Sequence, residues 1–208
     1  MASAIAGAAI ITPVLVVLWR SFTTGRLGFD VGLNLANYMR VFGDKDIMPM
    51  LSNSVIYAAG SALLGTVLGA LLAWIVARTN TPGKALVELM PLYPLLMPPI
   101  MKNIAWILLL APKSGILNGM LHEYFGIETL VFNAFSMAGM IWVFGLACVP
   151  LGYLFLLPVF LSFDPSLEES AYIAGSKPVH TMLNITFPLA VPAFLSALVL
   201  NFLRGLRS

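Results

Sequence analysis

The feature that most constrains this chain is a continuous apolar segment from Leu51 to Val76 that carries no charged residue. An α-helix needs about 20 such residues to cross the ~30 Å hydrocarbon core of a bilayer. Lipid offers no hydrogen bonds to the backbone, so a segment of this kind crosses as a helix. Composition agrees, since 60% of the 208 residues are hydrophobic and 10% are charged, a balance outside the range of soluble domains. The chain is predicted to be an integral membrane protein.

Further apolar segments predict an all-α membrane protein with about five transmembrane helices. The predicted spans are residues 4–19, 51–76, 85–111, 135–161 and 189–203. They form one domain, residues 1–208, which we expect to be incomplete at both ends. The first span lacks the basic leading region and the small-residue cleavage site of a signal peptide, so we expect it to be retained. A polar connection from Arg20 to Met50 follows it.

The third span cannot be one regular helix, because it contains four prolines: Pro91, Pro94, Pro98 and Pro99. Backbone carbonyls freed by proline are tolerated at membrane depth only where protein or a water-filled cavity satisfies them. Lys102 follows closely, and charges inside a membrane usually face a bundle interior or a cavity. We therefore predict that Pro98, Pro99 and Lys102 border a solute path. Snorkelling of Lys102 toward an interface is an equal alternative.

The connection between the fourth and fifth spans, residues 163–187, has helical rather than membrane periodicity. Ser166 can cap a first short helix, with Glu169 completing a capping box. Gly175 can close that helix in the left-handed conformation, and Ser176 can cap a second helix. The segment is predicted to form a helix-turn-helix elbow at the membrane surface.

The residues of this elbow resemble the EAA loop of binding-protein-dependent ABC permeases. Glu169-Ser170-Ala171, then Gly175, then Ile185-Thr186-Phe187-Pro188 keep the intervals of that loop. Two positions depart from the family: Ser170 replaces the middle alanine, and Pro178 stands where an aromatic or basic residue is common. The resemblance implies a truncated six-helix core of the MetI-like type in the bacterial inner membrane, with the elbow as a cytoplasmic coupling loop. The residues implied to couple it to an ATPase are Glu168, Glu169, Ser170, Ala171, Gly175, Ser176, Lys177, Ile185 and Pro188.

The same resemblance implies the partners of the chain. They are a cytoplasmic ATP-binding subunit, a periplasmic solute-binding protein and a second permease half, fused or separate, within the lipid bilayer. ATP is expected to bind to the partner subunit, because Gly175-Ser176-Lys177 lacks the spacing of a Walker loop and is followed by proline. We therefore expect a transport permease that is not itself an enzyme and that holds no cofactor.

A second resemblance concerns the solute. Ala105 to Leu110 followed by Pro112 to Asn118, and the segment Asn201 to Leu206, are similar to permeases of the ferric-iron type. Ferric iron is thus the first solute implied. Permeases for polyamine, thiamine, sulfate and aminoethylphosphonate share this layout, and Lys102 in the path would suit an anion or chelate better than a bare ferric ion. The alternative from another class is an ion-coupled secondary transporter whose broken third span binds the solute.

Several functions are excluded by residue type. Eleven Lys and Arg against nine Asp and Glu give a formal charge of +2, and the basic residues are too scattered for a nucleic-acid surface. The single Cys148 and the isolated His122 and His180 provide neither a disulfide framework nor a metal site. No polar side chains converge as a catalytic site would require.

Two features leave alternatives open. Ser61, Gly65, Gly69 and Ala73 form a small-residue ridge on the second span, where another helix of this chain or a second permease half could pack. The basic residues of the connections favour the orientation opposite to the one that the coupling loop requires. With the N-terminus inside, the cytoplasmic connections hold Arg78, Lys84 and Lys177, and the periplasmic ones hold Arg20, Arg26, Arg40, Lys45 and Lys113.

Overall fold

The computed structural model covers residues 1–208. It describes all of them except 1, 25–31, 128–130, 165, 167–169, 172, 174, 182–183 and 185, and it describes the backbone alone at 2–10, 24 and 178–179. Helices dominate the described part of the chain. The predicted all-α class is confirmed.

The chain packs as two compact units, Met1–Asn53 and Ser54–Ser208. The elements of the first unit are α1 (Ala2–Ser21), the antiparallel strands β1 (Thr23–Thr24) and β2 (Gly32–Leu33), and α2 (Ala36–Gly43). The second unit contains most of α3 (Ile47–Arg78), then α4 (Lys84–Leu89), a 3-10 turn (Met90–Leu92), α5 (Tyr93–Leu96), α6 (Pro99–Leu110), α7 (Ile116–Phe125), α8 (Met137–Ser162), α9 (Pro178–Thr181) and α10 (Phe187–Leu206). The prediction of a single domain remains a prediction.

The first unit is held together by Asn37 of α2. Its side-chain Nδ2 donates to the carbonyl oxygens of Thr23 at 3.0 Å and Ser21 at 3.3 Å. One amide thus donates to backbone carbonyls at the end of α1 and in β1. The sequence predicts only a polar connection here, so the small sheet and α2 are additions from the structure.

Within the described residues, three helices are long and apolar enough to cross a membrane: α3, α8 and α10. A fourth span is possible if α4–α5 and α6 count as one, although the two parts meet at an angle of 105°. Ile11–Ser21, the part of α1 whose side chains are described, is also apolar. The five predicted spans therefore fall on helices, and the third is broken by a bend.

Small residues bring the backbones of α3 and α8 into contact. A Cβ atom added at Gly69 would lie 2.6 Å from the amide nitrogen of Tyr153 and 2.7 Å from the carbonyl oxygen of Val149. All four residues of the predicted ridge are buried within this chain. The ridge therefore packs internally, against α8.

The third long helix joins this pair through a buried polar contact and an apolar cluster. Asn201 of α10 donates from Nδ2 to the Thr66 hydroxyl at 3.1 Å and to the Cys148 carbonyl at 3.3 Å. The buried apolar cluster consists of Ala70, Ala73, Val76, Tyr153, Leu156, Phe160 and Ala190. Residues of α3, α8 and α10 thus form one packed core.

Candidate functional site

In the elbow between α8 and α10, Asp164 follows Phe163, the residue directly after α8. The carboxylate of Asp164 accepts a hydrogen bond from the backbone N–H of Ser166 at 2.9 Å, the bond that a helix N-cap makes. This bond, with a second one from the Ser166 side chain, holds the pKa of the Asp164 carboxyl below its ordinary value, because donated protons favour the charged form. The predicted cap at Ser166 stays a prediction, because the backbone groups that would donate to its hydroxyl, at 168 and 169, lie outside the described residues. Glu169, its predicted capping-box partner, lies outside the described residues.

Gly175 closes the first arm of the elbow. Its φ is +85°, a left-handed conformation that glycine adopts without the steric cost of a Cβ atom. The backbone N–H of the next residue, Ser176, donates to the carbonyl oxygen of Ala171 at 2.9 Å. This is the hydrogen bond that defines a Schellman motif. The left-handed closure predicted from the sequence is present in the structure.

Thr181 fixes the start of the second arm. Its hydroxyl donates to Ser176 Oγ at 3.0 Å and lies 3.3 Å from the Lys177 carbonyl oxygen, to which its backbone N–H also donates at 3.0 Å. Only 3% of Thr181 is exposed. The turn between the arms is thus hydrogen-bonded on both sides of Gly175. Thr181 was not among the predicted site residues, although a hydroxyl one helical turn after Lys177 is a usable signal.

The outer surface of the elbow contains both polar and apolar side chains. Ser170, Gly175 and Lys177 are exposed, and Ile173 is 89% exposed. An isoleucine so accessible offers an apolar contact to another surface. Ala171 and Ser176 are half-buried, and Pro188 is exposed at the start of α10. Glu168, Glu169 and Ile185 of the predicted site lie outside the described residues.

The third span breaks at Pro98 and Pro99, as the prolines predict. Pro98 has an extended backbone, with φ −56° and ψ 137°, and Pro99 begins α6. The ammonium Nζ of Lys102 donates to the carbonyl oxygen of Pro94 across the break, at 2.8 Å. Because proline has no N–H to supply, a carbonyl before such a break needs a partner from elsewhere. Lys102 is half-buried and provides that partner, while its place on a solute path remains a prediction.

The other candidate groups give no metal centre among the residues that the structure describes, where no group of three or more His, Cys, Asp or Glu could hold an ion. Cys148 is buried between α3 and α8. His180 is exposed, and its Nδ1 lies 3.0 Å from Nδ2 of Asn184. These side chains thus have packing or local hydrogen-bonding contacts.

Comparison with known proteins gives relatives along most of the chain, although no family model matches it. It is 28% identical over 193 residues to the ferric transport system permease protein FbpB of Actinobacillus pleuropneumoniae, which covers 91% of this chain and 26% of that protein. It is 30% identical over 154 residues to the molybdenum transport system permease protein ModB of Haemophilus influenzae, which covers 74% of this chain and 65% of that protein. The chain thus spans less than two thirds of the length of either relative.

The structure agrees with these sequence relatives. It matches the crystal structure of a bacterial ABC transporter involved in the import of the acidic polysaccharide alginate, with a TM-score of 0.76 over 100% of this chain and 71% of that one. In sequence and in fold the chain is similar to ABC transporter permeases. At 20% identity the structural match establishes the fold alone. The sequence relatives confirm the predicted resemblance to ABC permeases, and a ferric permease is among them. The prediction of a multi-pass protein of the bacterial inner membrane is likewise confirmed.

Proposed function

We propose that this permease is the membrane component of an ATP-driven importer that receives its solute from a periplasmic binding protein. The observation that carries the proposal is the elbow, a short double arm with a left-handed glycine and hydrogen bonds on both sides of it. Such an element transmits a displacement, whereas a flexible tether would absorb it. It connects α8 directly to α10, so a force on it acts on two spans at once.

The elbow is proposed to dock on a separate cytoplasmic subunit that binds and hydrolyses ATP. The docking surface comprises residues 168–177, with Ile185 and Pro188 supporting the second arm. Exposed Ile173 and Lys177 supply an apolar and a cationic contact within this surface. The nucleotide cycle of the partner would then shift the spans between outward-open and inward-open states. A second permease half, fused or separate, completes the path.

For the solute we propose ferric iron, because 91% of this chain is similar to the FbpB protein of A. pleuropneumoniae, a ferric permease. An oxyanion is the second candidate, on two grounds. The ModB relative is a molybdenum permease, and the Lys102 ammonium at the break of the third span favours an anion in a path bordered by Pro98 and Pro99.

The importer proposal is tested by exchanging glycine for alanine at two positions with left-handed backbone. Gly175 and Gly126 have φ of +85° and +63°, close helical segments, and have open space where a Cβ atom would stand. A left-handed non-glycine residue costs roughly 1–2 kcal/mol at either site. In proteoliposomes containing the ATPase and binding protein, Gly175→Ala should lower solute uptake per ATP hydrolysed, and Gly126→Ala should not.

Two results would count against the proposal. Equal uptake per ATP in the Gly175→Ala and Gly126→Ala variants would show that the elbow does not transmit force. Solute uptake driven by an ion gradient without any ATPase subunit would favour a secondary transporter.

The solute itself is decided by comparing the uptake of radiolabelled ferric ion with that of molybdate and sulfate in the same vesicles. Preferential oxyanion uptake would replace iron with the second candidate.

A further inference from the structure

A contact at the end of α3 reaches the first residue of the elbow. Arg78 is the last residue of α3, and its guanidinium Nη2 donates to the carbonyl oxygen of Phe163 at 3.0 Å. The same guanidinium lies 6.0 Å from the centre of the Phe163 ring, within the range of a cation–π interaction. Phe163 has an extended backbone and immediately follows α8. One side chain therefore joins α3 to the point where α8 becomes the elbow.

Phe163 is held from the membrane side as well. Its ring meets the ring of Phe160 edge to face, with centroids 6.2 Å apart. Phe160 is 2% exposed and belongs to the apolar cluster of α3, α8 and α10. On the other side, the next residue is Asp164, the cap of the first arm. Movement of that arm must therefore act on Phe163 and, through its carbonyl group, on Arg78.

We propose that Arg78 is a positioning residue that couples displacement of the elbow to α3. The chain itself connects the elbow to α8 and α10, and Arg78 adds a direct contact from α3 to the junction of α8 and the elbow, beside the packing of α3 on α8. A charge-assisted hydrogen bond is directional and stronger than a neutral one, and the terminal carbonyls of a helix such as α8 accept it readily. This inference rests on the proposed importer function, because it assigns Arg78 a part in the same coupling.

The test uses the assembled transporter with its ATPase and binding protein. Arg78→Gln removes the cation, and uptake per ATP hydrolysed should fall about tenfold, within the usual range of coupling between sites. Arg78→Lys keeps a cation and a donor, so it should retain most of the coupling. Lys84→Gln is the matched control, since it removes an exposed cation at the start of α4 and should leave uptake per ATP unchanged.

A second measurement does not depend on transport. In a Cys148→Ala background, which removes the only cysteine of the chain, a spin label at Ile173→Cys reports the mobility of the first arm. Arg78→Gln should increase that mobility, and Arg78→Lys should restore it. Phe163→Leu, which removes the ring and keeps the carbonyl group, should give a smaller increase and serves if Arg78→Gln fails to assemble.

The outcomes separate this inference from the proposed function. ATP-driven uptake by the wild type together with unchanged uptake per ATP in Arg78→Gln would overturn the role of Arg78 and leave the importer standing. Absence of ATP-driven uptake in the wild type would overturn the importer and, with it, the coupling role. Unchanged label mobility in Arg78→Gln would show that the contact does not hold the elbow, whatever the transport result.

Discussion

Replacing Gly69 by alanine should separate α3 from α8. A Cβ atom at this position would lie 2.6 Å from the Tyr153 amide nitrogen, 2.7 Å from the Val149 carbonyl oxygen and 2.8 Å from the Gly152 carbonyl carbon. All three are backbone atoms, so no side-chain rotation can relieve the overlap. Ordinary van der Waals contact begins at 3.4 Å, and the helices would therefore have to move apart by about 0.8 Å.

The expected cost follows from this displacement. Overpacking a well-packed core costs ~1–3 kcal/mol, and overlap with rigid backbone places Gly69→Ala near ~3 kcal/mol. Alanine is about 1 kcal/mol more favourable than glycine within a helix. The net loss of stability is then about 2 kcal/mol. It corresponds to a change of about 30-fold in the ratio of folded to unfolded protein.

Titration of the purified permease with SDS in mixed micelles, followed by circular dichroism and tryptophan fluorescence, measures this loss. Gly119→Ala is the matched control, because Gly119 lies within α7 and a Cβ atom there has nothing within 4 Å. That variant should keep or slightly raise stability through helix propensity. The reasoning is refuted if Gly69→Ala unfolds at the same SDS fraction as Gly119→Ala.

Three further predictions concern single polar contacts. Asn201→Leu should lower stability in the same SDS titration by about 1 kcal/mol, because it removes the hydrogen bonds from α10 to Thr66 and Cys148 within the membrane. Asp164 has a lowered folded-state pKa, so its contribution to the stability of the elbow is present above the unfolded-state pKa and is lost as pH falls through the folded-state pKa. The protection of the Ser166 amide from hydrogen exchange, relative to the intrinsic rate at each pH, should fall over the same range. Asp164→Asn should abolish this pH dependence of the protection. Lys102→Met should leave the Pro94 carbonyl without its donor and destabilise the bent conformation of the third span by about 2 kcal/mol. The distribution of distances between spin labels on α5 and α6 should then broaden. An unchanged distribution would exclude Lys102 as the residue that stabilises the bend.

Much of this fold is predictable from the sequence, because lipid imposes one simple requirement on the backbone. A long apolar segment must be a helix, so the predicted span 51–76 lies inside α3 (Ile47–Arg78) and the predicted span 135–161 nearly coincides with α8 (Met137–Ser162). Proline chemistry is equally local, and it correctly predicts the break at Pro98 and Pro99. The strands β1 and β2 contain two residues each, too few for any periodicity to indicate them.

The elbow shows where local reasoning ends. Asp164 and Ser166 are both competent caps, and the choice between them depends on where α8 stops, at Ser162. Gly175 was predictable because left-handed backbone is a property of one residue. Thr181 has a local signal in its spacing from Lys177, whereas Arg78 was not predictable, since its role depends on a contact with Phe163 that forms only on folding. The docking roles of Glu168, Glu169 and Ile185 stay predictions.

The packing also determines how a force on the elbow can act. Glycine contacts join α3 to α8, and Asn201 joins α10 to both, so sliding any one of these helices past the others would break backbone contact or buried hydrogen bonds. α8 also contacts α5, the 3-10 turn and α6 on either side of the 105° bend. That bend lacks a continuous helical hydrogen-bond ladder, because Pro98 and Pro99 have no N–H to donate. A displacement delivered to α8 through the elbow should therefore leave α3, α8 and α10 moving together and change the angle of the bend, where deformation costs least.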